Sequence, residues 1–154
     1  MANVSQASKV SLRRITSKTV RNICELTVSD TQRGLVTANA ISIAEASFYK
    51  NAWFRAIYAD DTPVGFIMLH EVPKYGKYDL WRFMIDSKYQ HLGYGRRALE
   101  MVILRIKENP KANAITLSLV RREGSAEFFY GKFGFEFTGK IEHDQHIMRL
   151  SFKK

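Results

Sequence analysis

The sequence predicts an α/β (α+β) fold, in which a mixed, mostly antiparallel central sheet of about seven strands carries helices on both faces. The predicted elements follow the order β-α-α-β-β-β-α-β-α-β-β. Three successive strands in the middle are joined by short turns, which favours an antiparallel meander. A helix separates the next strand from that meander, which favours one parallel pair. The 154 residues suit one domain with a substantial core, and we expect residues 1–8 to form a flexible arm.

The first third of the chain predicts one strand and two helices. Polarity alternates over residues 9–15, which is typical of a half-buried strand. Apolar residues recur at helical spacing over residues 20–28, and a second helix is predicted over residues 40–50. Cys24 lies on the apolar face of the first helix. We therefore expect a small core residue there rather than a nucleophile.

The middle of the chain predicts the meander and one long helix. Strands are indicated over residues 53–59, 64–72 and 79–86, with turn residues between them. A helix is predicted over residues 97–108, because its apolar residues fall at i, i+3, i+4 and i+7. These apolar residues are Leu99, Val102, Ile103 and Ile106.

The last third predicts a buried strand, a helix and a closing hairpin. The strand covers residues 114–120 and the helix covers residues 124–133, which Gly134 ends. Residues 135–141 and 146–152 form the hairpin. No internal repeat or low-complexity segment interrupts this order.

Composition narrows the classes of function. The formal charge is +9, from 24 Lys and Arg against 15 Asp and Glu, which favours an anionic partner. The basic residues are spread along the chain, so they indicate nucleic acid only weakly. A lone cysteine excludes a disulfide framework, and a cytoplasmic location is the expectation. We expect no membrane span, because the longest apolar runs are too short to cross a bilayer. We also expect no metal site, since the four histidines lack ligand spacing on a suitable element.

Residues 90–96 form a glycine-containing turn between the end of a strand and the start of a helix. The pattern is Gln-x-x-Gly-x-Gly, with glycines at Gly93 and Gly95. Backbone N–H groups in the first turn of a helix lack internal partners and point outward with the positive end of the helix dipole. Glycine allows a ligand to approach the main chain closely. The turn therefore predicts an anion site that suits a pyrophosphate.

Four features together resemble the GNAT superfamily of acetyl-CoA-dependent N-acetyltransferases. They are the strand and turn over residues 83–95, the Ala-x-x-Phe-Tyr-x-Lys-x-Gly-Phe segment over residues 126–135, the closing hairpin, and the order of elements. The resemblance covers residues 10–150. Residues 34–46 and 81–86 are similar to the bacterial spermine/spermidine acetyltransferase group within that superfamily.

The resemblance implies a binding site for acetyl-CoA, with coenzyme A as the product. Backbone groups of Phe83 and Ile85 would pair with the pantetheine arm as another strand does. Backbone N–H groups of the turn would hold the pyrophosphate, and Arg96 or Arg97 would add charge-assisted bonds. The turn residues so implied are Gln90, His91, Leu92, Gly93, Tyr94, Gly95 and Arg96.

Tyr130 is the general acid that the resemblance implies. Acyl transfer expels a thiolate, and a phenol can donate a proton or a hydrogen bond to that sulfur as charge builds. Spacing alone would place Tyr130 in an aromatic core stripe with Phe129 and Phe133.

Two positions depart from the family pattern. His91 stands where many members have a glycine, but that glycine is not one of the required pair, so we expect binding to survive. Glu123 stands where many members have an asparagine that touches the pantetheine arm. A carboxylate there could repel the cofactor's phosphates or face the acceptor amine.

The acceptor is expected to be a primary amine of a polyamine such as spermidine or spermine. An alkylammonium has a pKa of roughly 10.4, so a base must take its proton directly or through water. Candidate bases are Glu71, Asp79, Asp86 and His70, and carboxylates that could hold a polyamine are Glu25, Glu45, Glu71 and Asp79. A protein amine or an aminoglycoside is the alternative acceptor, and a basic nucleic-acid-binding module is the non-enzymatic alternative. By family likeness alone we expect a homodimer.

Overall fold

The computed structural model describes residues 3–152, and their elements follow the predicted order. One seven-stranded sheet has the strand order β1-β2-β3-β4-β5-β7-β6. The predicted fold class is therefore confirmed. The strands are β1 (Val10–Arg13), β2 (Ala52–Ala59), β3 (Thr62–Val72), β4 (Lys77–Ile85), β5 (Ala114–Leu119), β6 (Glu136–Glu142) and β7 (Gln145–Ser151). The helices are α1 (Val20–Cys24), α2 (Asn39–Ala46), α3 (Tyr94–Lys107) and α4 (Glu127–Phe133).

All neighbouring strands in the sheet pair antiparallel except β4 and β5. The short turns of the meander leave no room for a crossover, whereas α3 carries the chain across the sheet between β4 and β5. The predicted parallel pair is thus confirmed. The closing hairpin then adds β7 beside β5 and leaves β6 at the edge.

The sheet separates two apolar cores. The larger core contains buried residues of α3, such as Leu99 and Ile106, together with Tyr130 of α4. The smaller core packs Ile23 of α1 against β2, β3 and β4 on the opposite face, and Ile43 of α2 joins it. Helices on both faces therefore bury both sides of β3 and β4, which fixes these strands at the centre of the molecule.

Several helix boundaries differ from the prediction. The first helix ends at Cys24 instead of Val28, because Thr27 bonds to the end of β4. The N–H of Thr27 donates to Oδ2 of Asp86 at 2.9 Å, and its carbonyl accepts from the N–H of Ser87 at 2.8 Å. The third helix begins at Tyr94, three residues before the predicted start. These three residues belong to the predicted turn, so the last N–H groups of that turn are those of the first helical turn of α3.

Residues 5–8 form a turn against the start of α3, where the sequence indicated a flexible arm. The hydroxyl of Tyr94 donates to the carbonyl of Ser5 at 2.6 Å. Arg97 donates to the carbonyl of Ser8 at 2.7 Å, and Ser8 is buried. Residues 1–2 of the predicted arm lie outside the described residues.

Within residues 3–152, the helices all lack the length and apolar character that crossing a bilayer requires.

Candidate active site

The parallel strands β4 and β5 separate soon after they pair. Their register holds only at Asp79 with Thr116 and at Leu80 with Leu117. Both strands continue beyond this point, β4 as far as Ile85. The edge of β4 that faces β5 is consequently open, and a cleft forms between the two strands.

A β-bulge in β4 lies at the point of separation. Leu69 of β3 pairs with Leu80, and the next residue, Met68, pairs with Arg82, so Trp81 is the extra residue. A bulge bends its strand and re-aims the neighbouring side chains. The bulge at Trp81 therefore explains why the pairing of β4 with β5 ends at Leu80.

The cleft has a volume of about 1270 Å³, which is enough for a ligand larger than an ordinary small molecule. We divide its surroundings into two halves. The helix half comprises Phe83, Ile85, the turn over residues 90–96, Phe129 and Tyr130. The sheet half comprises Tyr49, His70, Asp79, Trp81, Arg82 and Glu142.

The helix half is built around the start of α3. Gly93 caps the helix with a φ of +83°, a left-handed conformation that favours glycine. Tyr94, Gly95 and Arg96 form the first helical turn, so their backbone N–H groups are donors without intrahelical partners. This arrangement binds anions because the donors and the positive end of the helix dipole point the same way.

Arg97 ties the turn together from behind. Its guanidinium donates to the carbonyls of Leu92 and Gly93 at 3.4 Å each, as well as to Ser8. It also lies over the ring of Tyr94, 5.2 Å from the centroid. Arg97 is therefore occupied with main-chain carbonyls. Of the two arginines considered for the phosphates, only Arg96 lines the cleft, where it also pairs with Glu100 at 3.0 Å.

Gln90 connects the turn to its surroundings through its side-chain amide. Nε2 of Gln90 donates to the carbonyl of Ile85 and to Oε1 of Gln32, both at 2.9 Å. Gln32 lies in the segment between α1 and α2 and also accepts from the hydroxyl of Ser29 at 3.2 Å. His91 follows with a φ of +66°, which explains why glycine suits this position in related chains.

Tyr130 lies on α4 across the cleft from this turn. Its ring packs against Phe129 and Phe135, with centroids 5.3 and 5.5 Å away. The side chain is only 9% exposed, and burial raises the pKa of Tyr130 well above the usual range for a phenol. Its hydroxyl makes no hydrogen bond to another described residue. Tyr130 therefore reaches the cleft as a protonated donor.

The sheet half contains a polar row that crosses three strands. His70 of β3 pairs directly with Asp79 of β4, which in turn pairs with Thr116 of β5. The hydroxyl of Thr116 donates to the carboxylate of Asp79. His70 and Asp79 both line the cleft, and Glu142 of β6 adds a second carboxylate. Directly opposed residues of neighbouring strands have adjacent side chains, so this row can hold or pass a proton.

Glu71 and Asp86 have structural roles instead. Arg105 of α3 donates to both carboxylate oxygens of Glu71, at 2.8 and 3.0 Å, and the Glu71 side chain is 12% exposed. Asp86 is buried and accepts from the N–H groups of Thr27 and Lys88 at 2.9 Å. Neither carboxylate is available to an amine in the cleft.

The four carboxylates considered for a polyamine do not converge. Glu71 is paired with Arg105, Glu45 is paired with Arg82, and Glu25 is exposed at the end of α1. Only Asp79 of that set lines the cleft. Of the four candidates that the sequence offers, Asp79 is therefore the one placed to contact an acceptor in the cleft.

Most of the predicted cofactor residues line the cleft. The exception is Leu92, which is partly buried and packs against the larger core. Glu123 is exposed in the loop before α4, whose next residues Gly124, Ser125 and Ala126 line the cleft. The predicted residues that line the cleft are Phe83, Ile85, Gln90, His91, Gly93, Tyr94, Gly95, Arg96 and Tyr130.

Sequence reasoning missed three side chains that line the cleft, namely Trp81, Glu142 and Phe129. Trp81 was placed in a buried strand, but the bulge turns it into the cleft beside Tyr49, with ring centroids 5.3 Å apart. Glu142 belongs to a strand whose register brings it back to the cleft. Local sequence carries no signal for either. Phe129 is different, because its position before Tyr130 in the family segment could have identified it.

Comparison with known proteins places the chain in a family. The model of the acetyltransferase (GNAT) family matches residues 20–135. The match covers most of the chain, so the chain belongs to this family. It is an acetyl-CoA-dependent N-acetyltransferase.

Similar proteins differ in the acceptors that their names give. A spermine/spermidine N(1)-acetyltransferase of Bacillus subtilis (strain 168) is 28% identical over 142 residues, which cover 86% of this chain and 91% of that protein. The PaiA N-acetyltransferase of Thermoplasma acidophilum, solved in complex with coenzyme A, has a TM-score of 0.71 at 18% identity, covering 94% of this chain and 99% of that one. The ribosomal-protein-S18-alanine N-acetyltransferase of Escherichia coli has a TM-score of 0.71 at 15% identity, covering 95% and 96%. At such identities the two structures show the fold alone.

Proposed function

We propose that this enzyme transfers the acetyl group of acetyl-CoA to a primary amine of a polyamine such as spermidine or spermine. The observation that carries the proposal is the composition of the sheet half, where Asp79 and Glu142 lie with the rings of Tyr49 and Trp81. A polyamine carries several ammonium groups, which carboxylates and aromatic faces attract. The Bacillus subtilis relative, named for the same class of acceptor, supports this proposal.

In this proposal the helix half holds the cofactor. The free N–H groups of Tyr94, Gly95 and Arg96 bind the pyrophosphate. The open edge of β4 near Phe83 and Ile85 pairs with the pantetheine arm, because backbone groups there have no partner on β5. A backbone N–H of the same edge polarises the thioester carbonyl and stabilises the oxyanion that forms on attack.

Tyr130 assists departure of the sulfur. The amine nitrogen forms a bond to the carbonyl carbon and gives up its second proton to water, the carbon–sulfur bond breaks, and coenzyme A leaves as a thiolate that takes a proton from water. A free thiol has a pKa of roughly 8.5. Because burial raises the pKa of Tyr130 above that of an ordinary phenol, we assign the hydroxyl to a hydrogen bond that stabilises the thiolate, with the proton remaining on the phenol.

The polar row prepares the acceptor. An ammonium must lose a proton before its nitrogen can attack, and His70 and Asp79 are the groups of the row that line the cleft and can accept a proton. We assign the acceptor's proton to this pair, either directly or through a water molecule. The hydroxyl of Thr116 fixes the Asp79 carboxylate at the point where β4 and β5 part.

The charge of the whole protein acts on the two substrates in opposite directions. A formal charge of +9 attracts the polyphosphate cofactor and repels a polyamine at long range. Salt screens distant charges within about 10 Å at 0.1 M, whereas contacts inside the cleft are screened much less. Local carboxylates can therefore overcome the overall repulsion at physiological salt.

Acceptor profiling with labelled acetyl-CoA tests this function. We expect saturable transfer to spermidine and spermine, with slower transfer to an aminoglycoside and to a peptide N-terminus. Efficient transfer to a peptide or an aminoglycoside, with no turnover of polyamines, would contradict the polyamine proposal. Salt-sensitive binding to duplex DNA without stabilisation by acetyl-CoA would favour the nucleic-acid alternative. A homodimer and a cytoplasmic location stay predictions from the sequence.

A further inference from the structure

Arg82 carries a charge in the sheet half that opposes a cationic acceptor. It lies beside the bulge of β4 and lines the cleft, with its side chain 17% exposed. Its guanidinium stacks over the ring of Trp81, 4.8 Å from the centroid. Its Nη2 lies 3.5 Å from Oε2 of Glu45 on α2. A cation that lines the cleft therefore already occupies the aromatic face of Trp81 and the carboxylate of Glu45.

The contacts of Arg82 are incomplete. Its Nε is buried and has no hydrogen-bond partner among the described residues. Nη1 donates only to the carbonyl of Trp81, at 3.2 Å, and the ion pair with Glu45 is long and not bidentate. A buried donor without a partner is costly, and burial lowers the pKa of Arg82. Compare Glu71, which accepts both bonds of a bidentate pair from Arg105.

An ammonium group of a polyamine would seek the same two partners. Aromatic faces and carboxylates are the groups that hold alkylammonium ions in proteins. We infer that Arg82 is a specificity-determining residue that competes inside the protein with the acceptor's distal ammonium for Glu45 and Trp81. The inference rests on the proposed function, because it assumes a polycationic acceptor in the sheet half.

The competition predicts how the affinity for an acceptor changes with the charge of that acceptor. A polyamine must displace Arg82 from Glu45 or bind beside an uncompensated guanidinium, so Arg82 weakens the binding of acceptors in proportion to their charge. Removing the guanidinium should release Glu45 and Trp81 to the ligand. The gain should be larger for spermine, which has more ammonium groups, than for a monoamine such as butylamine.

Calorimetric titration of spermine into the complex with coenzyme A tests the inference without turnover. We expect Arg82→Gln to bind spermine about fivefold tighter than wild type, since a partly exposed charge pair contributes up to about that factor. The affinity for butylamine should change by less than about twofold, since this monoamine has no distal ammonium. Arg82→Lys, which keeps the charge, should resemble wild type. Lys107→Gln at the exposed C-terminal end of α3, away from the cleft lining, removes the same charge and is the matched control.

Glu45 supplies the second arm of the experiment. In the Arg82→Gln background, Glu45→Gln should remove the gain in spermine affinity, whereas a merely structural role of Arg82 predicts no such coupling. Glu45→Gln alone should weaken spermine binding, because it leaves Arg82 without a counterion. Arg82→Met serves as a second neutral variant if the melting temperature of Arg82→Gln falls.

Two results would overturn the inference. One is spermine affinity that is unchanged or lower in both neutral variants of Arg82. The other is a gain that persists after Glu45→Gln. Failure of the proposed function has a different signature, namely no acetylation of spermidine by the wild-type enzyme, so the two can be distinguished.

Discussion

The two halves of the cleft are held in place by different kinds of interaction. The helix half depends on main-chain geometry, with Gly93 in a left-handed conformation and free N–H groups in the first turn of α3. The sheet half depends on side chains that strand register brings together, such as His70 with Asp79. Backbone donors suit a cofactor that many chains share, while side chains can change without altering the fold. The proposal therefore assigns the cofactor and the acceptor to separable parts of one cleft.

The largest effect should come from the residue that serves the chemical step. Tyr130→Phe removes the hydroxyl to which we assign stabilisation of the thiolate, so kcat should fall by about 100-fold. The affinity for acetyl-CoA should stay within about twofold, because the hydroxyl is not a binding group for the ground state. Steady-state kinetics and calorimetry measure the two quantities, and Tyr58→Phe, which removes the hydroxyl of another buried tyrosine, is the control.

The pH profile gives Tyr130 a second test. Burial raises the pKa of Tyr130, so its hydroxyl stays protonated to a higher pH than a free phenol with a pKa of about 10. Wild-type kcat should therefore show no falling limb from this group below about pH 10. Unchanged kcat in Tyr130→Phe would remove Tyr130 from the chemical step.

The second-largest effect should be on the binding of acetyl-CoA and should be confined to the helix half. Gly93→Val forces a branched side chain into a left-handed conformation, which costs about 1–3 kcal/mol and distorts the turn. The KM for acetyl-CoA should rise about tenfold or more by that reasoning, while the KM for the amine stays near its wild-type value. Gly131→Ala in α4 is the matched control, because a Cβ there meets open space. Equal losses for both substrates would show that the halves are not separable.

The polar row should show its role through pH. Asp79→Asn and His70→Gln should each lower kcat/KM for the amine about tenfold at pH 7.5, because the acceptor then loses its proton less readily. The deficit should shrink toward pH 10, where more of an amine with a pKa of roughly 10.4 is already neutral. A deficit that is constant across this pH range would mean that neither residue takes the proton.

The smallest effect should come from the arginine behind the turn. Arg97→Gln removes hydrogen bonds to the carbonyls of Ser8, Leu92 and Gly93. Two of these bonds are long, at 3.4 Å, so we expect a net contribution of about 1 kcal/mol, and the KM for acetyl-CoA should rise roughly fivefold with kcat unchanged. Arg97→Lys keeps the charge but loses the planar set of donors, so its KM for acetyl-CoA should lie between those of the wild type and Arg97→Gln. A change confined to the amine KM would contradict the bracing role of Arg97.

The sequence predicted the features that local pattern encodes. The apolar stripe of α3, the parallel crossing from β4 to β5 and the position of Tyr130 all follow from spacing within one element or one family segment. The start of α3 was wrong by three residues, because two glycines near Tyr94 suggested a loop. The structure shows instead that Gly93 caps the helix and that the residues after it already belong to its first turn.

The features that were missed depend on contacts between distant segments. The bulge at Trp81 arises from the register of β3 with β4, and no local pattern marks it. The pairing of Glu71 with Arg105 joins residues 34 positions apart and removes a carboxylate that sequence alone could not exclude from catalysis. The acceptor side is therefore the part of the site that only the fold reveals.

A structure of the enzyme with coenzyme A and spermine tests the two-part cleft most directly. We predict pyrophosphate oxygens bonded to the N–H groups of Tyr94, Gly95 and Arg96, and the sulfur beside the hydroxyl of Tyr130. One amine nitrogen of spermine should approach that sulfur from the side of His70 and Asp79. Spermine bound outside the sheet half, or a pyrophosphate away from the start of α3, would contradict the account.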